Sequence, residues 1–410
     1  MDEQLHVLLA DGPSPRRVGR LRDVGTGPHF EFDPDFLGEG IELSPLTLPL
    51  RAGVVGPGPR HWHRLRGLFG DAIPDGFGLK VLHQALRRGG RDPRRVTPLQ
   101  LLAAVGDRGM GALCYRPADA LWGEPAELPS LAELSAEAAR VDAGDIDELP
   151  DALRRAAGAS GGVRPKVAVA LHADGRVRDA SLPLAEGFRP VLVKFRAALD
   201  PATQVPVEAA YLQMAAAAGL QVPRQELVAL PGGEAALVLD RFDRSGDGRL
   251  HVQSFAALLE LDFRVDLVDY DTLLDTTRRL TRDFAQVEQA LRLAAFNVLA
   301  GNRDDHIKNI SFVMSPDGRW RLAPAYDLTP SVGGGYHAMS CDGESVRPTA
   351  AHVERVGLRA GFDRSQVRAV LEEAQAALAR WEEFAEASAV PAQVRREVGR
   401  SLGGRESPRP

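Results

Sequence analysis

Between residues 158 and 327 the chain carries a glycine-rich loop, a strand lysine, a helix glutamate and two acidic segments in one N-to-C order. Gly158, Gly161 and Gly162 open that loop, which closes at Lys166 and runs into an apolar stretch of strand length at 167–171. Asp174-Gly175 is a tight-turn signal, and 176–182 can return as the partner strand. After Pro190, alternation puts Val191, Val193 and Phe195 on one face of a strand and Lys194 on the other. Val207, Tyr211, Met214, Ala215 and Ala218 then recur at helical spacing, with Glu208 at the start and Gly219 as the stop. Segments 227–230 and 236–239 read as two more strands. The region is a small sheet carrying one helix.

From about residue 241 the pattern turns helical. Phe284, Val287, Leu291, Ala295, Val298 and Leu299 make one apolar stripe that ends at Gly301. A hairpin follows, with strands at 310–314 and 320–323 around Pro316-Asp317-Gly318, and 367–385 is a further amphipathic helix. The tail from 403 is polar and is expected to be disordered. Ahead of residue 118, Gly and Pro punctuate short apolar runs such as 5–9 and 41–50, which read as strands, with helical patterns at 76–86 and 98–105. The stretch 121–153 reads as a connector with one or two helices. The expected division is 1–118 as an N-terminal β-rich module, 119–240 as a small lobe with connector and loop, 241–402 as a helical lobe, and 403–410 as tail.

At 410 residues the chain can form two or three domains with substantial cores. A net charge of −6 disfavours a broad direct grip on nucleic acid. The two cysteines, Cys114 and Cys341, lie far apart without metal-ligand spacing, which argues against a disulfide framework or a zinc site. The start lacks a secretory signal pattern, and no apolar run is long enough to span a bilayer. The expectation is a cytoplasmic protein without membrane contact.

The chemistry concentrates in Gly301-Asn302-Arg303-Asp304-Asp305-His306-Ile307-Lys308-Asn309, followed after the hairpin by Ala325-Tyr326-Asp327. Asp304 and Asn309 have the Asp-x-x-x-x-Asn spacing of a protein-kinase catalytic loop. There the Asp accepts the proton of the substrate hydroxyl, the Asn helps hold magnesium, and a second Asp, at the position of Asp327, binds magnesium bridging the phosphates. Phosphoryl transfer is mostly positioning and charge neutralisation, and magnesium takes hard oxygen ligands. Taken singly, each feature has a plain reading: a turn cluster for Asp304–Asn309, an edge-strand lysine for Lys194, a dipole-favoured carboxylate for Glu208, a β-turn for the glycines. Their common order is that of a kinase. In that reading the loop amides cover phosphates, Lys194 neutralises phosphate charge and pairs with Glu208, and the backbone around Asp240 and Phe242 binds adenine. His306 either braces the loop or moves a proton. A metal-dependent hydrolase built on Asp304, Asp305, His306 and Asp327 is a competing reading, but it leaves Lys194 and the glycine loop unused.

These segments, with Leu328-Thr329-Pro330-Ser331 after Asp327, resemble the signature of HipA-type toxins. Further matching stretches are Ile73-Pro74-Asp75-Gly76-Phe77-Gly78, Arg108-Gly109-Met110-Gly111-Ala112-Leu113, Gly161-Gly162-Val163-Arg164-Pro165-Lys166, Val193-Lys194-Phe195, Ala217-Ala218-Gly219-Leu220 and Arg241-Phe242-Asp243-Arg244 leading to His251 and Gln253-Ser254. The likeness runs over about residues 5–385. It implies an α+β fold: an N-terminal β-rich module, then a two-lobed protein-kinase-like fold whose C-terminal lobe is mostly helical. It implies an ATP- and magnesium-dependent serine/threonine kinase whose target class is aminoacyl-tRNA synthetases, notably the glutamyl enzyme, so that translation stops and dormancy or persistence follows. The implied partner is a small helix-turn-helix antitoxin (HipB-like) on operator DNA, and a catalytically weak co-repressor is the alternative role. Asp304 resembles the catalytic base, and Asn309 and Asp327 the magnesium ligands. Gly161, Gly162, Lys166, Lys194, Asp240, Phe242 and His306 make up the implied ATP site. Family members autophosphorylate a loop serine two positions before the glycine pair. Here that position is Ala159, so Ser160 is the candidate.

Overall fold

The structure, a computed structural model, describes residues 3–124, 126–144, 149–157, 161–245, 248–331 and 335–403. Five strands form the first sheet: β1 (Glu3–Leu9), β2 (Arg16–Asp23), β3 (Pro28–Phe32), β4 (Val54–Val55) and β5 (Leu113–Arg116), in the antiparallel order β4-β3-β2-β1-β5. Alternation in β3 buries Phe30 and Phe32, which pack with Phe36 and Phe69. Helices Gly76–Arg88 and Pro98–Val105 belong to this module, the second started by a Thr97/Gln100 capping box. The 41–50 run is not a strand. Pro45 and Pro49 each remove a backbone donor, and the segment is irregular while Leu43 and Leu48 are buried in the core.

The second sheet has six strands: β6 (Glu127–Leu128), β7 (Lys166–His172), β8 (Val177–Asp179), β9 (Phe188–Lys194), β10 (Gln225–Ala229) and β11 (Ala235–Asp240), in the order β10-β11-β9-β7-β8-β6. The connector holds helices Leu131–Ala143 and Asp151–Ala157, and it also supplies β6 as the sheet's edge, which its composition did not signal. Helix Gln204–Ala217 packs against β11, with Gly219 beyond its end at φ +81°.

The remainder is mostly helical. A two-stranded ribbon, β12 (Arg244–Ser245) and β13 (Gly248–Arg249), leads to a three-stranded sheet of β14 (His251–Ser254), β16 (Ser311–Met314) and β17 (Trp320–Leu322). A short parallel pair joins β15 (Val268–Asp269) to β18 (Met339–Ser340). Helix Phe284–Ala300 runs through the lobe's core and ends at Gly301, whose φ of +67° is a left-handed cap. The predicted 367–385 helix is two, Arg364–Ala379 and Trp381–Ala387, broken at Arg380. The α+β, two-lobed architecture with an N-terminal β module is therefore the observed one. Of the tail expected from 403, Gly403 instead closes helix Ala392–Gly403, and 404–410 lie outside the described residues.

Carboxylates join the N-terminal module to the rest. Asp71 accepts from Ser254 N–H and Oγ–H, both at 2.7 Å. Glu260 accepts from Gly67 N–H at 2.8 Å and Arg66 Nε at 2.7 Å. Asp243, fully buried, accepts from Gly111 N–H at 2.7 Å while pairing with Arg241 and Arg244.

Candidate active site: a cleft between the sheets

A cleft of about 430 Å³ lies where the three regions meet, within the size range of small-molecule sites. Its lining includes Asp75, Gly161, Gly162, Lys166, Lys194, Asp240, Phe242, Asp304, His306, Lys308, Asn309 and Asp327. The described residues of the implied catalytic, metal and ATP set thus line one cavity, and Glu208 reaches it through its pair with Lys194. Ser160 lies outside the described residues.

Register places Lys166 of β7 directly opposite Lys194 of β9. Both are buried. Lys194 Nζ donates to Glu208 Oε1 at 2.5 Å and also pairs with Asp327. Burial alone would lower the basicity of Lys194, but Asp327 and Glu208 outweigh it and raise its pKa. Burial keeps Lys166 below its usual value, with Asp327 opposing and the like charge of Lys194 adding to the shift. Asp327 is the mirror case: burial disfavours its charge, yet Lys194 and Lys166 hold its carboxyl well below the usual carboxylate range. Its φ of +53° is rare for a non-glycine residue and marks local strain.

Asp304 sits at the cleft mouth with its side chain 63% exposed. Desolvation by the surrounding protein raises its carboxyl pKa, His306 opposing and Asp327 adding to it. Asn309 donates Nδ2–H to the Asp304 carbonyl at 3.0 Å, which leaves Oδ1 as an acceptor. His306 packs its ring on Phe263 with centroids 4.9 Å apart, and its Nε2 is 3.7 Å from Asp304 Oδ1.

Asp305, next in sequence, turns inward. Its carboxylate accepts from Tyr270 Oη at 2.7 Å, His337 Nδ1 at 2.9 Å, and the amides of Ala338 at 2.8 Å and Met339 at 3.2 Å. It is buried and committed to holding the loop, so a metal site built on Asp304, Asp305, His306 and Asp327 together does not assemble.

At the other end of the cleft, Asp240 closes β11 and its carboxylate pairs with Arg189. Phe242 stacks on Tyr326 at 5.8 Å, and Tyr326 Oη is 2.7 Å from Ser311 Oγ. Sequence spacing did not single out Tyr326 for this packing, nor Asp75 and Lys308 for their 2.7 Å ion pair. Asp75 lay within a motif that carried the resemblance, but its partner is 233 residues away. The donor set suits magnesium: Asp327 carboxylate and Asn309 Oδ1 are hard oxygen donors at one cleft.

No helix among the described residues is long and apolar enough to cross a membrane. Models of two domains match this chain: the HipA N-terminal domain over residues 5–116 and the HipA-like C-terminal domain over 158–381. Two similar proteins of Sinorhizobium fredii carry provisional kinase names. Y4mE is 29% identical over 70% of this chain and 69% of its own length. Y4dM is 32% identical over 30% of this chain, a match that spans only 34% of Y4dM. Among solved structures, the Shewanella oneidensis HipA, HipB and operator DNA complex contains a chain with the same fold, at 21% identity and a TM-score of 0.72, over 98% of this chain and 96% of that one. Since the C-terminal domain match alone covers more than half of the residues, and the N-terminal match accounts for the module ahead of it, this chain belongs to the HipA family.

Proposed function

We propose that this protein is an ATP- and magnesium-dependent serine/threonine protein kinase acting in the cytoplasm as the toxin of a toxin–antitoxin pair. The observation that carries the reading is the buried Lys194–Glu208 pair against Asp327, in one cleft with Asp304 and Asn309. Lys194 is placed to take phosphate oxygens, and Glu208 holds its ammonium there. Asp304, open to solvent, can receive the proton of an incoming hydroxyl. General-base help of this kind is worth roughly 10²–10⁴ in rate. Backbone groups around Asp240 and Phe242 orient the adenine. Asn309 and Asp327 would hold magnesium, which supplies charge neutralisation across the phosphates.

Family membership supports the finer assignments: an aminoacyl-tRNA synthetase, such as the glutamyl enzyme, as target, and a helix-turn-helix antitoxin as partner. The Shewanella neighbour was solved with HipB and operator DNA, which favours DNA contact through the antitoxin. The test is transfer of labelled γ-phosphate from ATP with magnesium into a bacterial lysate, beside Asp304→Asn. A labelled band lost in the variant supports the kinase. Nucleotide binding without any transfer would favour a co-repressor role, and no nucleotide binding would end both the kinase and the ATP assignments.

A further inference from the structure

Asp75 occupies the N-cap position of helix Gly76–Arg88, yet its side chain makes no cap hydrogen bond to that helix. An Asp at this position ordinarily accepts from its own helix's second or third amide. Here the carboxylate is spent elsewhere. One oxygen accepts the N–H of Gly162 in the glycine-rich loop, and the other accepts from Lys308 Nζ at 2.7 Å. The loop returns the exchange, since Gly162 C=O accepts the N–H of Phe77 at 2.9 Å. Gly162 is therefore held at both its amide and its carbonyl by the first turn of an N-terminal-module helix.

The fit at this contact is close. Gly76 has φ +48°, and a Cβ there would stand 2.4 Å from Gly162 O. Lys308 is itself boxed by the rings of Trp62 and Phe263, at 5.7 and 5.5 Å from their centroids. It directly precedes Asn309. One carboxylate thus ties together three parts of the cleft that are far apart in sequence: the N-terminal module, the glycine-rich loop and the Asp304–Asn309 segment.

We propose that Asp75 is a positioning residue that holds the glycine-rich loop down on the cleft, so that the N-terminal module sets nucleotide affinity. The proposal rests on the kinase reading above. A displacement of the N-terminal module would release Gly162 and Lys308 together, giving the site a built-in route to loss of nucleotide.

The test uses the full chain and three substitutions that disturb the contact differently. Asp75→Ala removes the acceptor, and Gly76→Ala pushes the loop from below. Asp75→Asn keeps an acceptor for Gly162 but drops the charge toward Lys308. Hydrogen exchange of the loop amides is read alongside binding of a non-hydrolysable ATP analogue with magnesium. Loss of a charge-assisted hydrogen bond predicts roughly tenfold weaker binding in Asp75→Ala, with Asp75→Asn intermediate. Loop amides from 161 to 166 should exchange faster in both alanine variants, while helix Phe284–Ala300 keeps its protection. Unchanged loop exchange would overturn the tether. Faster loop exchange with unchanged affinity would overturn the link to nucleotide. If the unsubstituted protein binds no nucleotide, the kinase reading fails and the affinity claim falls with it, while loop exchange still reports on the tether separately.

Discussion

Lys194 Nζ stands 2.5 Å from Glu208 Oε1, and both side chains are almost fully buried, at 5% and 3% exposure. The same ammonium also meets Asp327, so one cation serves two carboxylates contributed by different lobes. With Lys166 opposite as the second buried cation, such a cluster is stable only while its charges match, because each ion has given up its water.

Replacing Lys194 with Met should therefore cost stability as well as activity. It takes from Glu208 the cation it pairs with and leaves Asp327 with Lys166 as its nearby buried cation, and a loss of about 3 kcal/mol is expected. Denaturant unfolding measures it. A variant as stable as the parent would mean that the carboxylates take up protons or water at little cost.

Asp304 and Asp305 should behave oppositely although they adjoin. Asp304→Asn is expected to lower phosphoryl transfer by roughly 10²-fold or more with little change in melting temperature, since the side chain is open to solvent. Asp305→Ala removes an acceptor from the Tyr270 hydroxyl, His337 and two backbone amides, and should cost about 3 kcal/mol or more. Parallel thermal melts and transfer assays distinguish the two. Equal melting losses would contradict the inward placement of Asp305.

Asp327→Asn should uncouple nucleotide binding from magnesium. With the carboxylate gone, titrating magnesium should change nucleotide affinity far less than in the parent. An unaltered magnesium dependence would remove Asp327 from the metal site.

Asp243 gives a pH prediction. Burial opposes its charge, but Arg241 and Arg244 hold its folded pKa well below the unfolded carboxylate value of about 3.9. A depressed folded pKa contributes stability above the unfolded pKa, and that contribution is lost as pH falls toward the folded one. Asp243→Asn should thus be less stable than the parent by about 3 kcal/mol at neutral pH. The gap should narrow below about pH 4, where the unfolded chain takes up a proton that the folded Asp243 carboxylate still refuses. Urea titrations at neutral and acid pH read this directly, and a constant gap would argue that hydrogen bonding, not charge, dominates the site.

By itself the sequence determined the local elements and the order of the reactive groups. Alternation in β9 puts Lys194 opposite Val191 and Val193, an apolar stripe runs to a left-handed stop at Gly301, and the Asp304–Asn309 spacing sits on a short loop. These depend on neighbours a few positions away, where strand and helix periods operate. Tertiary structure alone decided which carboxylate faces solvent and which is consumed. Spacing to Asn309 singles out Asp304, but where the two adjoining side chains point is not written locally, and only the approach of Tyr270, His337 and the 338–339 amides draws Asp305 inward. Likewise nothing near Asp75 marks its partner. Lys308 comes within reach because the N-terminal module docks beside the Asp304–Asn309 segment, and a buried charge takes whatever opposite charge the packing brings to it.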